Sequence, residues 1–176
     1  MPTAIDRRLA LSRLVRIVLT APAVAGLAAC GFELRRAPEL HFSTLVLQGF
    51  RPESSIAAII RQQIATTTTT RVVESATQAQ VILQAFTDNS ERVVEASTAA
   101  GQVRELTLRA RLIFRVRTVD DVDLIPRTQL LLTRDLTYSE EAALGKEQEE
   151  AVLFRSMQQD IVGQLMRRLA AVRLPT

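Results

Sequence analysis

One cysteine and one histidine are all that this chain of 176 residues offers of the side chains most used in catalysis and metal binding. A lone cysteine, Cys30, cannot close an internal disulfide, so the core must stand on packing alone. A metal site wants three or four closely spaced His, Cys or carboxylate ligands, and His41 has no such company. Acid–base and nucleophilic routes need a positioned His, Cys or carboxylate pair. His41 stands just before a short apolar strand and reads as a solvated or edge residue. Glycine is scarce too, and no Gly-rich phosphate loop, Walker sequence or G-x-S-x-G occurs. The acidic cluster "DDVD" from Asp120 lacks the Gly and Glu of a calcium loop and reads as a turn. Together these absences describe a protein that is not an enzyme and holds no metal.

The basic character of the chain is local. Arg7, Arg8, Arg13 and Arg16 precede "IVLTAPAVAGLAA", Ile17 to Ala29, which carries no charge. A basic segment, an apolar segment and small residues before a cut are the layout of a secretory leader. The uncharged run is too short for a transmembrane helix, which needs roughly 20 apolar residues to cross about 30 Å of hydrocarbon. Residues 1–29 therefore read as a signal peptide. Four of the 22 Lys and Arg and one of the 19 Asp and Glu leave with it, so the mature chain is neutral, with 18 of each sign. The pI near 9.9 thus belongs mostly to the leader, and no nucleic-acid partner is implied.

About 147 residues remain, enough for one domain. Residues 30–40 mix charge, Gly and Pro and read as a tether; 41–174 form the domain. "TLVLQ", Thr44 to Gln48, is a short strand closed by Gly49. Ile56, Ile59, Ile60 and Ile64 then mark one face of a helix, with Pro52 suited to its first turn, Ser54 or Ser55 as its cap, and its end by Thr67. The β-branched run Thr66 to Thr70 suits extended chain and reads as a plain loop. Gln78 to Ser97 is a long strand and "TAAGQ" the turn after it.

The clearest pattern lies between Glu105 and Val119. Leu106, Leu108, Ala110, Leu112, Phe114 and Val116 alternate with Thr107, Arg109, Arg111, Ile113, Arg115 and Arg117, so the strand is half buried and its outer face is rich in arginine. Arg127 to Tyr138 is its hairpin partner. A one-residue slip exchanges the faces, which excludes registers that set Arg109 against Arg134. The register expected instead pairs Leu112 with Leu132, Phe114 with Leu130, Leu108 with Leu136, Leu106 with Tyr138 and Arg109 with Asp135, across a loop of three or five residues. From Ser139 to about Val172 the pattern is helical. Leu153, Phe154, Met157, Ile161, Leu165, Leu169 and Val172 share a face, with acid near the start and Arg167 and Arg168 near the end, as the helix dipole favours. The expected fold is α+β: a two-layer sandwich of two helices on one face of a four-stranded, mostly antiparallel sheet, in the order β-α-β-β-β-α.

Guanidinium groups suit bidentate contact with phosphate or carboxylate. Arg109, Arg111, Arg115 and Arg117 are therefore either a solvated face with cross-strand partners such as Asp135, or a surface for a ligand or partner.

"LAAC", Leu27 to Cys30, resembles the lipobox of bacterial lipoproteins. The resemblance implies cleavage before Cys30, covalent diacylglycerol and N-acyl chains on that cysteine, no other cofactor, and, with Gly31 next, the periplasmic side of the outer membrane. "CGFELR" resembles the opening of the lipopolysaccharide-assembly lipoproteins, the LptE or RlpB type. "GQVRELTLRARLIFRV" is similar to that family's turn and long strand, and "RDLTYSEEAALGKEQEEAVLFRSMQQDIVGQLMRRL" to its Tyr-bearing strand and last helix. The resemblance implies two helices on a four-stranded sheet and a protein that plugs the lipopolysaccharide-export β-barrel, helps it assemble and binds lipopolysaccharide. Family members bind lipopolysaccharide through basic residues near the sheet tip; here "STAAGQ" is uncharged, leaving Arg92 and Arg104 as the flanking candidates. An auxiliary lipoprotein of a lipid-transport ABC system is the other reading of a small, lipobox-bearing α+β chain.

Overall fold

A computed structural model describes residues 39–97, 103–138 and 142–175. The signal peptide, Ala29 and Cys30, the tether as far as Pro38 and the turn at 98–102 lie outside the described residues. The order is β1 (Thr44–Gln48), α1 (Ser55–Thr67), β2 (Arg71–Val73), a 3-10 turn (Ala76–Gln78), β3 (Val81–Ser97), β4 (Val103–Arg117), β5 (Asp123–Thr137) and α2 (Ala143–Ala170).

The α+β class and the two helices are as expected, but the sheet is not four-stranded. It has five strands in the order β2-β1-β3-β4-β5 and is mixed, because β1 runs parallel to both of its neighbours. The added strand follows the threonine run and has only three residues, too few to print a period of two. Its pairing is anchored by Arg71 N–H donating to Ser43 O at 2.9 Å and by the buried Thr70, whose hydroxyl donates to Phe42 O at 2.6 Å. Thr68 to Thr70 form the expected loop, whose last threonine is a buried group with its hydrogen bond satisfied.

Each helix is set by the residues the periodicity marks. On α1, Ile56, Ile60 and Ile64 are buried and Ile59 packs against them. The Ser54 hydroxyl accepts from Ala57 N–H at 2.9 Å and donates to the Asp88 carboxylate, fastening the helix start to β3. Thr68, in extended conformation, ends the helix, its N–H donating to Ile64 O. On α2, Met157, Ile161, Val162, Leu165, Met166 and Leu169 are buried. Arg167 and Arg168 occupy its last turn as expected, but its first turn carries no acid and its cap, Ala142, supplies no side-chain bond. The helix begins at Ala143 rather than Ser139, so its first turn holds Lys146, with Glu147 and the acids after it lying further in.

The two faces of β4 follow the alternation. Leu106, Leu108, Ala110, Leu112, Phe114 and Val116 are buried in the main core, where each Leu or Phe contributes about 1.5–3 kcal/mol by leaving water. The register against β5 departs from expectation by two residues: Leu112 faces Leu130, Leu106 faces Leu136, Phe114 faces Thr128, and Arg109 faces Thr133. A shift of two leaves every face unchanged, so hydrophobic pattern fixes only its parity. The hairpin turns earlier than expected, through five residues at 118–122, and irregularities between Phe114 and Arg117 set the final pairing.

The sheet is uneven along its length. Leu45 pairs with Val81, Ile82 with Arg117, and Arg117 with Asp123, so β1 enters at the same end as the 118–122 hairpin. This near end has five strands. β1 stops level with Gln84, and only β3, β4 and β5 run on to the far end, where Ser97 pairs with Val103. Gly49 ends β1 at φ 75, and a Cβ there would lie 2.2 Å from Ala85 O, so both the backbone angle and the close approach to β3 require glycine.

Candidate functional site

The side of the sheet away from the helices carries the arginine face. Arg109 lies 3.2 Å from Glu95, and Arg111 lies 3.8 Å from Glu91, both on β3. Arg115 donates from Nε to Gln84 at 2.8 Å and pairs with Asp121 at 3.1 Å and Asp123 at 3.7 Å. Arg117 lies 3.3 Å from the same Asp121 carboxylate and donates to Thr118 O at 3.4 Å. Asp121 holds φ 64, which turns the hairpin and leaves its carboxylate between two guanidinium groups. Asp135, expected opposite Arg109, instead accepts from the Thr107 hydroxyl at 3.0 Å, because the two-residue register difference brings it beside Thr107.

All four arginines of this face therefore have carboxylates from the chain itself, as the solvated-face reading requires. Their coordination is uneven: Arg117 Nε has the Asp121 carboxylate at 3.3 Å, outside hydrogen-bond geometry, whereas Arg111 Nε is buried without a hydrogen-bond partner. A buried donor left open costs about 1–3 kcal/mol, which an added acceptor would recover. Phe86, extruded where β3 shifts register between Ala85 and Thr87, is exposed on the surface, and Arg127 of β5 stacks 4.6 Å above its ring.

The same irregularity turns the second half of β3, so that Asp88, Ser90 and Arg92 lie opposite Leu112, Ala110 and Leu108 and share the helix side of the sheet. Ser90 accepts from Gln158 of α2 at 3.2 Å. Arg92 lies 3.7 Å from Glu150 of α2, with its side chain 64% exposed. Arg134 of β5, also opposite Leu108, is exposed at the same level, so two arginines bracket β4 near the far end. Arg134 was not among the expected candidates; its signal was the register, which pattern alone fixed only to within two. Arg104 sits at the far end of β4, about 13 Å of strand beyond Leu108, and its side chain lies outside the described residues, as do Ala29 and Cys30. His41 is exposed beside a cavity of about 480 Å³ lined by Glu39, Leu40, Thr66, Thr68 and Thr69.

The family model described as Lipopolysaccharide-assembly, LptE, matches residues 42–169. The chain belongs to this lipopolysaccharide-assembly family. The match runs from β1 to the last turn of α2 and so takes in every strand and both helices. No curated protein matches the chain significantly. Among solved structures, the solution structure of uncharacterized lipoprotein B from Nitrosomonas europaea is 29% identical, with a TM-score of 0.67 over 80% of this chain and 91% of that one. Rare lipoprotein B from Shewanella oneidensis is 19% identical, with a TM-score of 0.60 over 73% of this chain and 95% of that one. A minor lipoprotein from Acinetobacter baumannii shares the fold at 16% identity and a TM-score of 0.58, over 77% of this chain and 99% of that one. The lipopolysaccharide-assembly family is non-enzymatic, and no helix among the described residues is long and apolar enough to cross a membrane.

Proposed function

We propose that this chain is an outer-membrane lipoprotein, cleaved after Ala29 and acylated on Cys30, that assembles with the lipopolysaccharide-export β-barrel, plugs its lumen and binds lipopolysaccharide on its way to the surface. The observation that carries the reading is the family match over 42–169, which covers the whole folded domain. Thioether-linked diacylglycerol and an N-acyl chain supply the hold on the bilayer: one chain binds marginally, while three at about 0.8 kcal/mol per buried CH₂ bind for practical purposes. A plug needs no catalytic group. It needs a rigid domain whose outer faces are polar without being strongly charged, and the ion-paired arginine face supports that role.

Lipopolysaccharide presents phosphates, and guanidinium is suited to them. Arg92 and Arg134 are the exposed candidates, with Arg104 further along β4 as the other flanking one; Arg109, Arg111, Arg115 and Arg117 would meet a phosphate or the barrel wall by sharing or exchanging their carboxylates. Extraction of the tagged chain in mild detergent should bring down an outer-membrane β-barrel in fixed ratio, and Cys30→Ala should shift the chain to the soluble periplasmic fraction. Recovery of the chain alone, or with an inner-membrane transporter, would sink the reading in favour of a lipid-transport auxiliary.

A further inference from the structure

Among the described residues the two edges of the sheet are unlike. β2 ends it on one side with only Arg71–Val73, exposed Arg71 at its start and exposed Glu74 after it, and so short and charged an edge discourages a further strand. β5 ends the other side with Asp123–Thr137, and its ladder to β4 is regular from Thr128 to Thr137. Gln129–Thr133 within it is uncharged. Gln129, Leu131 and Thr133 are exposed, and Leu132 packs on the core while only half buried. A long, regular, partly apolar edge invites another strand.

The charges that bound this run are unanswered. Arg127 stacks on Phe86 and Asp135 accepts from the Thr107 hydroxyl, yet among the described residues neither they nor Arg134 has an ion pair. The four arginines of the open face of β4, by contrast, all have carboxylates. Arg127 and Asp135 thus stand as free charges of opposite sign, about 27 Å apart along the strand. Inside a barrel lumen, wherever the wall or an inward loop closes on this edge, the N–H and C=O groups that β5 turns away from β4 lose their water and must be paired. A row of alternating donors and acceptors is answered best by a second backbone.

We infer that β5 receives a sixth strand from its partner: an extended segment of the export barrel, antiparallel to Gln129–Thr133, aliphatic and uncharged at its centre, with an acid facing Arg127 and a base facing Asp135. Main-chain bonds hold the segment, and its alternate side chains select it. A second copy of the chain is the rival occupant, since β5 set antiparallel to itself about Leu131 brings Arg127 opposite Asp135. A lumen plugged by one domain has no place for that copy. This inference rests on the barrel partnership proposed above.

Residue-resolved hydrogen exchange tests it, on the acylated chain alone and on the chain co-extracted with its barrel in mild detergent. In the chain alone, amides of 128–134 should alternate, those bonded to β4 slow and those turned outward fast. In the complex the outward set should slow at least about tenfold, and the amides of Arg71–Val73 should not. Barrel recovered with the outward amides still fast would overturn the strand addition and leave the barrel partnership standing. Outward amides already slow in the chain alone, with twice the monomer mass by sedimentation, would overturn it in favour of a second copy. No barrel recovered would remove the partnership and the strand together. Leu131→Glu places its carboxylate opposite Arg111, so the free fold accepts it, and it should lower barrel recovery about tenfold by setting a charge at the centre of the new ladder. Recovery equal to that of the unsubstituted chain, at equal melting temperature, would also overturn the inference.

Discussion

The two faces of β4 are built from alternate residues of one strand, yet they answer different demands. Towards the helices, Leu108, Leu112 and Phe114 are fully buried and bind the layers together. Towards the other side, Arg109, Arg111, Arg115 and Arg117 are neutralised by Glu95, Glu91, Asp121 and Asp123 at 3.1–3.8 Å. The first face determines whether the domain folds. The second sets what it presents, and partly exposed pairs of this kind contribute only about 0–1 kcal/mol each. Recognition on the open face can therefore change without endangering the fold.

The contrast is tested hardest by Phe114→Ala, which should lose about 3–5 kcal/mol in urea unfolding; a loss below that of an arginine variant would abolish the distinction. Gly49→Ala should cost about 2–4 kcal/mol, combining a left-handed backbone with a clash against Ala85. Ser54→Ala removes a helix cap and leaves Asp88 without its donor, for about 1–2 kcal/mol, read as a lower melting temperature. A double-mutant cycle on Arg109→Ala and Glu95→Ala should give a coupling of about 0.2–1 kcal/mol that shrinks with added salt. Arg92→Ala and Arg134→Ala should move stability by less than about 0.5 kcal/mol. Their effect should fall instead on lipopolysaccharide binding, flattening its dependence on salt; unchanged binding in both removes them as contacts.

How far the sequence carried can be judged from particular residues. A period of two is a strong signal, so the burial of Leu106, Leu108, Ala110, Leu112, Phe114 and Val116 and the placing of the arginines on the opposite face were legible before any fold was known. Register was legible only to within an even number, since a two-residue slip changes no face; the irregularities near Val116 that decide it leave no compositional trace. That slip misassigned Arg109 to Asp135 and concealed Arg134. The partners Glu91 and Glu95 depend on β3, whose own irregularity at Phe86 swings half the strand to the other face. β2, at three residues, fell below the length at which any period can be read.

β5 closes one side of the sheet with fifteen residues and, among the described residues, no strand beyond it. Pro126, Arg127 and Arg134 blunt parts of that edge, but Gln129 to Thr133 is uncharged and carries the exposed Leu131. Such an edge can template another copy of itself whenever nothing stands beside it. The chain is thus safest in company, and a cell making more of it than it has partners would pay in aggregates rather than in idle spares.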